Sequence, residues 1–264
     1  MIRLIASDLD GTLLLNGAQQ LSCRDIQLIS ELMEKKHIFF VAASGRQLDN
    51  LMRLFAPIRN SIGYICENGC FSYLNGEILR FTMMDRELGR EVIRDIVAYP
   101  GAEVLLSGIH TSYLMPKDPS FLSLIRDTVK NHVTVTDDIL STKEPYFKIS
   151  VYEKSGVLKH QDYWKARYGD RLTVVTGGNC WLDMMPAGVN KRTGLEPILN
   201  KLGISPDECM MFGDNENDRE LLDYVGYPVV MDTSVPAIRE SYPCHTDTVG
   251  HALEQIVAGT FPEY

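Results

Sequence analysis

The sequence predicts an α/β protein with a doubly wound parallel sheet and an α+β domain inserted into the middle of the chain. Short apolar segments alternate with amphipathic segments over the first 66 residues and again after residue 190, as in strand-helix-strand units of a parallel sheet. From residue 83 to residue 186 the order of elements differs, which indicates a second domain. The predicted core is therefore discontinuous, with residues 1–82 and 187–264 flanking an α+β domain at 83–186.

The first part of the predicted core has three strands and two helices before a hairpin. Apolar runs predict buried strands at residues 2–7, 38–43 and 62–66. Ser22 and Asp25 resemble a capping box, so the first helix is predicted to begin at Ser22. A second amphipathic helix is predicted at 48–55. Asn75-Gly76 then predicts a tight hairpin turn, because both residues tolerate positive φ angles.

The remaining elements follow from the same reasoning. In the inserted domain we expect helices at 85–98 and 119–131, short strands near 104 and 113, a strand at 147–152, then a helix and two strands. In the returning core we expect a helix up to residue 202, a strand at 209–212, a helix at 218–225, a strand at 228–231 and a last helix near the C-terminus.

Composition excludes several function classes. The 264 residues carry a net charge of -9 and contain no Lys/Arg-rich run, so nucleic acid is not expected as a partner. No run of eighteen apolar residues and no signal-like N-terminal segment occurs, so neither a membrane nor export is expected, and the cytoplasm is the expected location. The six cysteines include no C-x-x-C pair and are expected to be reduced thiols; a thiolate metal site at Cys66 and Cys70 is disfavoured by their spacing.

The first candidate motif is Asp8-Leu9-Asp10-Gly11-Thr12, at the end of the first predicted strand. In an extended exit Asp8 and Asp10 point to the same side, so two carboxylates could share one pocket with a Mg²⁺ ion that offsets their repulsion. The alternative is a polar loop of ordinary turn residues.

Three further motifs follow other predicted strands or open the helices after them. Ser44-Gly45-Arg46 could cradle an anion or be a helix cap beside a turn glycine. Lys191 opens a helix, where a cation is unfavourable unless an anion binds there, although a solvated lysine is the commoner case. The acidic and amide residues of 213–218 could complete an oxygen-rich metal shell or form an acidic turn.

All four motifs fall along one edge of the predicted sheet, because parallel strands end on the same side. Together they provide a nucleophile, an acid/base, an anion cradle, a cation and a metal site, which phosphoryl transfer requires. The sequence therefore predicts an enzyme of phosphoryl transfer with a small anionic substrate.

These residues resemble the haloacid dehalogenase (HAD) superfamily, specifically its Cof-type (subfamily IIB) phosphatases. Asp8 to Leu14 read D-x-D-G-T-L-L, the first motif of those enzymes. Ser44-Gly45-Arg46 is similar to the second motif, Lys191 to the third, and Gly213-Asp214 with Asn217-Asp218 to the fourth, in the same order. Glu67-Asn68-Gly69 also resembles a short segment usual in the subfamily.

The resemblance implies a Mg²⁺-dependent hydrolase of small phosphorylated metabolites such as sugar phosphates. It implies that Asp8 attacks phosphorus and that Asp10 is the acid/base. The implied Mg²⁺ ligands are Asp8, the backbone carbonyl of Asp10, and Asp214, with Asp218 and Thr12 supporting them. The implied phosphate-binding residues are Ser44, Gly45, Lys191 and Asn217. The inserted domain would be a cap that covers the site and recognises the leaving group of the substrate. The resemblance implies no protein partner.

Two departures from the subfamily pattern are visible. Asp232-Thr233-Ser234 stands where the subfamily usually reads Gly-Asn-Ala, which puts the hydrogen bonding of that loop in doubt. Asn215 stands where glycine or alanine is frequent.

Three other functions remain open at this point. A phosphomutase or phosphotransferase would use the same aspartyl-phosphate with a sugar as acceptor. A catalytically silent metabolite-binding protein would keep the pocket without the chemistry, which the intact Asp8 and Asp10 disfavour. A receiver-like signalling module is disfavoured because the acidic pair follows the first strand and because the chain is about twice the necessary length. The substrate itself is not readable from the sequence.

Overall fold

The computed structural model describes residues 1–261, and the chain divides into two compact units. Unit 1 combines Met1–Arg80 with the part of the chain that begins at Lys191, and unit 2 is Phe81–Asn190. In the first part of unit 1 the elements are β1 (Leu4–Ser7), α1 (Cys23–Lys36), β2 (Phe39–Ala43), α2 (Leu48–Leu54), β3 (Gly63–Cys66), β4 (Phe71–Leu74) and β5 (Glu77–Phe81), the last residue of which is the first of unit 2.

Unit 2 and the second part of unit 1 follow in chain order. Unit 2 contains α3 (Arg86–Ala98), β6 (Ala102–Gly108), β7 (Ser112–Leu114), α4 (Pro119–Ser123), β8 (Val133–Val135), β9 (Tyr146–Glu153), α5 (Gln161–Tyr168), β10 (Leu172–Thr176) and β11 (Trp181–Pro186). Unit 1 resumes with α6 (Lys191–Leu202), β12 (Cys209–Gly213), α7 (Arg219–Leu222), β13 (Tyr227–Met231), α8 (Pro236–Arg239), β14 (His245–Thr246) and α9 (Val249–Ala258).

Unit 1 is built on an eight-stranded sheet with the order β14-β13-β12-β1-β2-β3-β4-β5. The six strands from β14 to β3 run parallel, and β4 turns back antiparallel to β3. In the register of β1, Ser7 lies opposite Phe212 of β12 and Ala42 of β2. The carboxyl ends of these three central strands therefore lie side by side, and the predicted doubly wound α/β fold is confirmed.

The central strands are fully buried, which explains why their sequences are continuous apolar runs and do not alternate between apolar and polar residues. The first helix is capped as predicted: the Ser22 hydroxyl accepts a hydrogen bond from the backbone N–H of Asp25 at 3.0 Å. The predicted hairpin turn is also present, with Asn75 at φ 50° and Gly76 at φ 84°. Local capping and turn chemistry thus fix the ends of these elements.

Unit 2 is built on a six-stranded sheet with the order β10-β11-β9-β6-β7-β8. Its strands pair antiparallel except for the parallel pair β7 and β8. Apolar residues of α3 and α5 pack on one face of the central strands, with Trp164 fully buried among them. A smaller cluster around Phe121 of α4 covers part of the other face. Unit 2 therefore has a hydrophobic core of its own.

Two predicted helices are wrong in extent. The helix predicted at 119–131 is α-helical only over α4 and continues as a π-helical segment at Leu124–Val129, which ends where Lys130 adopts a left-handed φ of 63°. The helix predicted at 218–225 has α-helical geometry only over α7, since Glu216–Asp218 before it forms a 3₁₀ turn and residues 223–225 after it form turns and a bend. The 3₁₀ turn directs the Asp218 side chain back onto the backbone N–H groups of Asp214 and Asn215.

Within residues 1–261 no helix combines the length and the apolar character needed to span a bilayer. All six cysteines are free thiols, and Cys66, Cys70 and Cys209 are buried.

Candidate active site

The site is built around the loop that leaves β1. The backbone N–H of Asp8 still donates to the carbonyl of Phe212 in β12, at 2.9 Å, so Asp8 is fixed by the sheet. The chain then turns sharply, and the N–H of Leu14 donates to the carbonyl of Leu9 at 2.6 Å. Gly11 has a φ of +93°, and a Cβ there would lie 2.4 Å from Oδ2 of Asp214. The glycine of the motif is therefore required both by the backbone conformation and by the close approach of Asp214.

A buried charge cluster lies at the carboxyl ends of β1 and β12. Nζ of Lys191 donates to Oδ1 of Asp8 at 2.6 Å and to Oδ1 of Asp218 at 2.7 Å. Lys191 and Asp218 are fully buried, and Asp8 is 5% exposed. Carboxylate oxygens of Asp8, Asp214 and Asp218 lie within 4.8 Å of one another. Residues that are far apart in the sequence thus form one compact group of three acids and one ammonium.

The crowding of these acids changes their protonation. Burial, with the nearby charges of Asp218 and Asp214, raises the pKa of Asp8 well above its usual value, although Lys191 opposes the shift. Burial and the charge of Asp218 raise the pKa of Asp214 to about 6. Burial disfavours the charge of Lys191, but the neighbouring carboxylates of Asp218 and Asp8 outweigh it and raise the pKa of the ammonium. One lysine therefore does not neutralise all three carboxylates.

This excess of negative charge fits a divalent cation. Carboxylate oxygens are the ligands that hard cations such as Mg²⁺ prefer, and a cation there would offset the repulsion that raises the pKa of Asp8 and of Asp214. Asp218 already uses Oδ1 for Lys191 and Oδ2 for the N–H groups of Asp214 and Asn215. Asp8 and Asp214 are accordingly the better candidates for ligands, and Asp218 is placed to orient the loop and the lysine.

Thr12 and Asn215 support the same loop. The hydroxyl of Thr12 donates to Oδ1 of Asp214 at 2.9 Å, which links the loop after β1 to the loop after β12. The side-chain oxygen of Asn215 accepts from the N–H of Glu216 at 2.8 Å and completes a capping box with Asp218. The asparagine that departs from the subfamily pattern therefore has a defined role as a helix cap.

The second departure, Asp232-Thr233-Ser234, forms an ordered turn beside the cluster. The N–H of Ser234 donates to the carbonyl of Met231 at 2.9 Å, and the next residue, Val235, donates to the carbonyl of Asp214 at 3.2 Å. The N–H of Asp232 donates to the carbonyl of Thr246 at 2.9 Å. This turn thus holds the backbone of Asp214 through its main chain, independently of the side chains that differ.

The predicted phosphate-binding residues Ser44 and Asn217 are linked through Asn68. The carbonyl of Ser44 accepts from the N–H of Asn68 at 3.0 Å, and Nδ2 of Asn217 donates to Oδ1 of Asn68 at 3.3 Å. Ser44 is 1% exposed, and Gly45 follows it in the connection between β2 and α2. Asn68 therefore joins two motifs that the sequence left separate.

The segment that contains Asn68 has an unusual backbone. Glu67, Asn68 and Gly69 have φ angles of 51°, 54° and 102° in succession, and all three are buried. Left-handed conformations at two consecutive non-glycine residues are costly and concentrate at functional sites. No role was predicted for Asn68 from the sequence. The Asn-Gly dipeptide at residues 68 and 69, just after a predicted strand, was the signal that could have identified this turn.

Asp10 is separate from the buried cluster. Both of its carboxylate oxygens accept hydrogen bonds from Arg46, at 2.7 Å from Nε and at 2.5 Å from Nη2. The Asp10 side chain is 52% exposed, whereas that of Arg46 is only 10% exposed. The two aspartates of the first motif therefore have different surroundings. Arg46 was predicted only as part of the motif at residues 44–46, and its pairing with Asp10 was not predicted.

The raised pKa of Asp214 predicts a pH-dependent stability. Its folded pKa of about 6 exceeds the ordinary 3.8, so the folded protein without metal retains a proton that the unfolded chain releases. The contribution of Asp214 to stability is full below pH 4 and is lost as the pH rises to 6. In EDTA, the free energy of unfolding of wild type relative to Asp214→Asn should fall between pH 4 and pH 7 by on the order of 2 kcal/mol. Urea denaturation of both proteins measures this difference, and a constant difference would contradict the prediction.

Known proteins are similar to this chain over most of its length. The family model for haloacid dehalogenase-like hydrolases matches residues 5–251. The 5-amino-6-(5-phospho-D-ribitylamino)uracil phosphatase YbjI of Escherichia coli K12 is 26% identical over 238 residues, 90% of this chain and 88% of the relative. The HMP-PP phosphatase of Serratia proteamaculans is 26% identical over 269 residues, 98% of this chain and 93% of the relative.

A solved structure agrees with the fold. The structure of a HAD subclass IIB sugar phosphatase is 19% identical and superposes with a TM-score of 0.81, covering 96% of this chain and 98% of that one. Both relatives named above are phosphatases, which is the enzyme class predicted for this chain. With a family match over residues 5–251, the chain belongs to the haloacid dehalogenase-like hydrolases, as its motifs predicted.

Proposed function

We propose that this protein is a Mg²⁺-dependent phosphomonoester hydrolase that acts on small phosphorylated metabolites, sugar phosphates among them, through an aspartyl-phosphate on Asp8. The observation that carries the proposal is the buried group of Asp8, Lys191, Asp214 and Asp218 at the carboxyl ends of adjacent parallel strands. The names of the relatives support the same class of substrate, since both are phosphatases of small molecules.

In the proposed reaction an Asp8 carboxylate oxygen attacks phosphorus, and the bond from phosphorus to the substrate oxygen breaks. Asp10 gives its proton to that oxygen, and the alcohol leaves. Asp10 then takes a proton from a water molecule as that water attacks the aspartyl-phosphate, which releases inorganic phosphate and restores Asp8. The sum of the two steps is the hydrolysis of one ester by one water molecule.

The other residues bind and orient. Lys191 is placed to balance charge on Asp8 and on a bound phosphoryl group, and Ser44, Gly45 and Asn217 are proposed to hold phosphoryl oxygens. Asp8, the backbone carbonyl of Asp10, and Asp214 would hold Mg²⁺, which when bound neutralises charge on the phosphoryl group. Unit 2 is proposed to be the cap that selects the leaving group, and a cytoplasmic location stays a prediction.

The test is a phosphate-release assay on a panel of sugar phosphates, nucleotides and an aryl phosphate, in Mg²⁺ and in EDTA. We expect release in Mg²⁺ and a loss of at least about 100-fold in EDTA, because metal ions supply several kcal/mol of charge stabilisation in such sites. Added sugar acceptors distinguish a phosphotransferase: transfer to the sugar without net release of phosphate would contradict hydrolysis. A folded protein that binds Mg²⁺ and turns over no compound would favour a silent binder.

A further inference from the structure

The Asp10 carboxylate is exposed but oriented. Half of its side chain is open to solvent, at 52% exposure, which would ordinarily leave an aspartate free to rotate. Here Nε and Nη2 of Arg46 engage one carboxylate oxygen each. A planar guanidinium that donates two parallel hydrogen bonds fixes the plane of a carboxylate as well as its position.

Arg46 is itself anchored. Its third nitrogen, Nη1, donates to Oδ1 of Asn50 at 3.1 Å, and Asn50 is 3% exposed. Its backbone N–H donates to the hydroxyl of Ser44 at 3.2 Å. The buried Asn50 thus holds the guanidinium, and the buried Ser44 holds the backbone of Arg46 between the end of β2 and the first turns of α2. These bonds limit the movement of the group that binds Asp10.

We propose that Arg46 is the positioning residue that holds Asp10 for proton transfer to the leaving group; this rests on the proposed function above. Each carboxylate oxygen has two lone pairs, so a pair of bonds from Arg46 leaves one lone pair on each oxygen for the transferred proton. Misplacement of a catalytic group by about 1 Å can cost roughly 100-fold in rate. Lysine cannot replace this arginine, because an ammonium offers no planar fork.

The chain offers a matched control in Arg53. Its Nη2 donates to the same Oδ1 of Asn50, at 3.1 Å, and Arg53 lies on the same helix, α2. The described hydrogen bonds and ion pairs of Arg53 do not include one to Asp10. Arg46→Lys and Arg53→Lys are therefore equal changes around one asparagine, and only the first removes the fork on Asp10.

The test compares two esters whose leaving groups differ in their need for a proton. 4-Nitrophenyl phosphate releases a stable phenolate without protonation, whereas an alkyl ester such as the best sugar phosphate of the panel requires the acid. For Arg46→Lys and Arg46→Met we expect kcat/KM to fall about 10²- to 10⁴-fold with the sugar phosphate and less than about 10-fold with the aryl ester. Arg53→Lys should change neither.

Two further readouts separate positioning from a structural role. Because Asp10 also activates water, the Arg46 variants should show a burst of nitrophenol followed by slow turnover. Added guanidinium chloride at millimolar concentration should restore part of the sugar-phosphate activity of Arg46→Ala. Equal losses on both esters, or no loss on either, with a folded and active wild type would overturn the positioning role alone. A wild type that releases phosphate from neither ester would instead overturn the proposed function, and circular dichroism identifies any variant that does not fold.

Discussion

Asp8→Asn should abolish phosphate release while leaving the protein folded. The amide cannot attack phosphorus, and loss of the nucleophile from a covalent mechanism typically lowers kcat by about four orders of magnitude or more. The fold should survive, because burial and neighbouring carboxylates already disfavour the charge on Asp8 and because Lys191 keeps its bond to Asp218. Phosphate release and urea denaturation of the variant in EDTA measure the two expectations.

The matched control for this change is Asp170→Asn, on a side chain that is 78% exposed and lies 3.9 Å from Arg171. It is the same replacement of a carboxylate by an amide, and it should leave turnover unchanged. Acid-quenched wild type should carry phosphate on a peptide that contains Asp8, and Asp8→Asn should carry none. If Asp8→Asn, confirmed as the amide by mass spectrometry, retains turnover, Asp8 is not the nucleophile.

The parts of the fold that the sequence predicted correctly are those whose signal is local. The N-cap of α1 at Ser22 and the hairpin turn at Asn75-Gly76 depend on chemistry within four residues, and the apolar runs of β1 to β3 reflect burial on both faces. The strands β8 and β14 were not predicted. The three residues of β8 are mostly exposed and β14 has only two residues, so neither gives a buried apolar run. The π-helical segment after α4 was missed for a related reason, since its apolar spacing still resembles an α-helix.

The part of the site that the sequence predicted is the part formed where parallel strands end side by side. Parallel strands end at one edge, so Asp8 and Asp214 were expected to meet, and the structure places their carboxylates in one cluster. The sequence did not predict which basic side chain pairs with which carboxylate. Lys191 contacts Asp8 across 183 positions, and Arg46 contacts Asp10 across 36. Such pairings depend on loop conformations that sequence spacing does not determine, as the left-handed turn at Asn68 illustrates.

Lys191→Met should destabilise the metal-free protein strongly as well as lower its activity. Lys191 begins α6, where a cation opposes the helix dipole, so its position depends on the two carboxylates that it bridges. Methionine fills a similar volume but leaves Asp8 and Asp218 buried without that partner. Removing one member of a buried ion pair typically costs about 3–5 kcal/mol, and we expect a loss of this size in the free energy of unfolding, measured by urea denaturation in EDTA.

The same helix provides the control, because Lys201 forms an exposed ion pair with Glu77 at 2.8 Å. Lys201→Met should cost less than about 1 kcal/mol, as exposed pairs do. Asp8→Asn combined with Lys191→Met removes one of the two uncompensated charges, so the double variant should be more stable than Lys191→Met alone. If the two lysine variants are equally stable, the ion pairs of Lys191 do not hold the cluster together. If the double variant gains nothing over Lys191→Met, the loss arises from Asp218 or from packing, and the coupling between Lys191 and Asp8 that the 2.6 Å contact implies is absent.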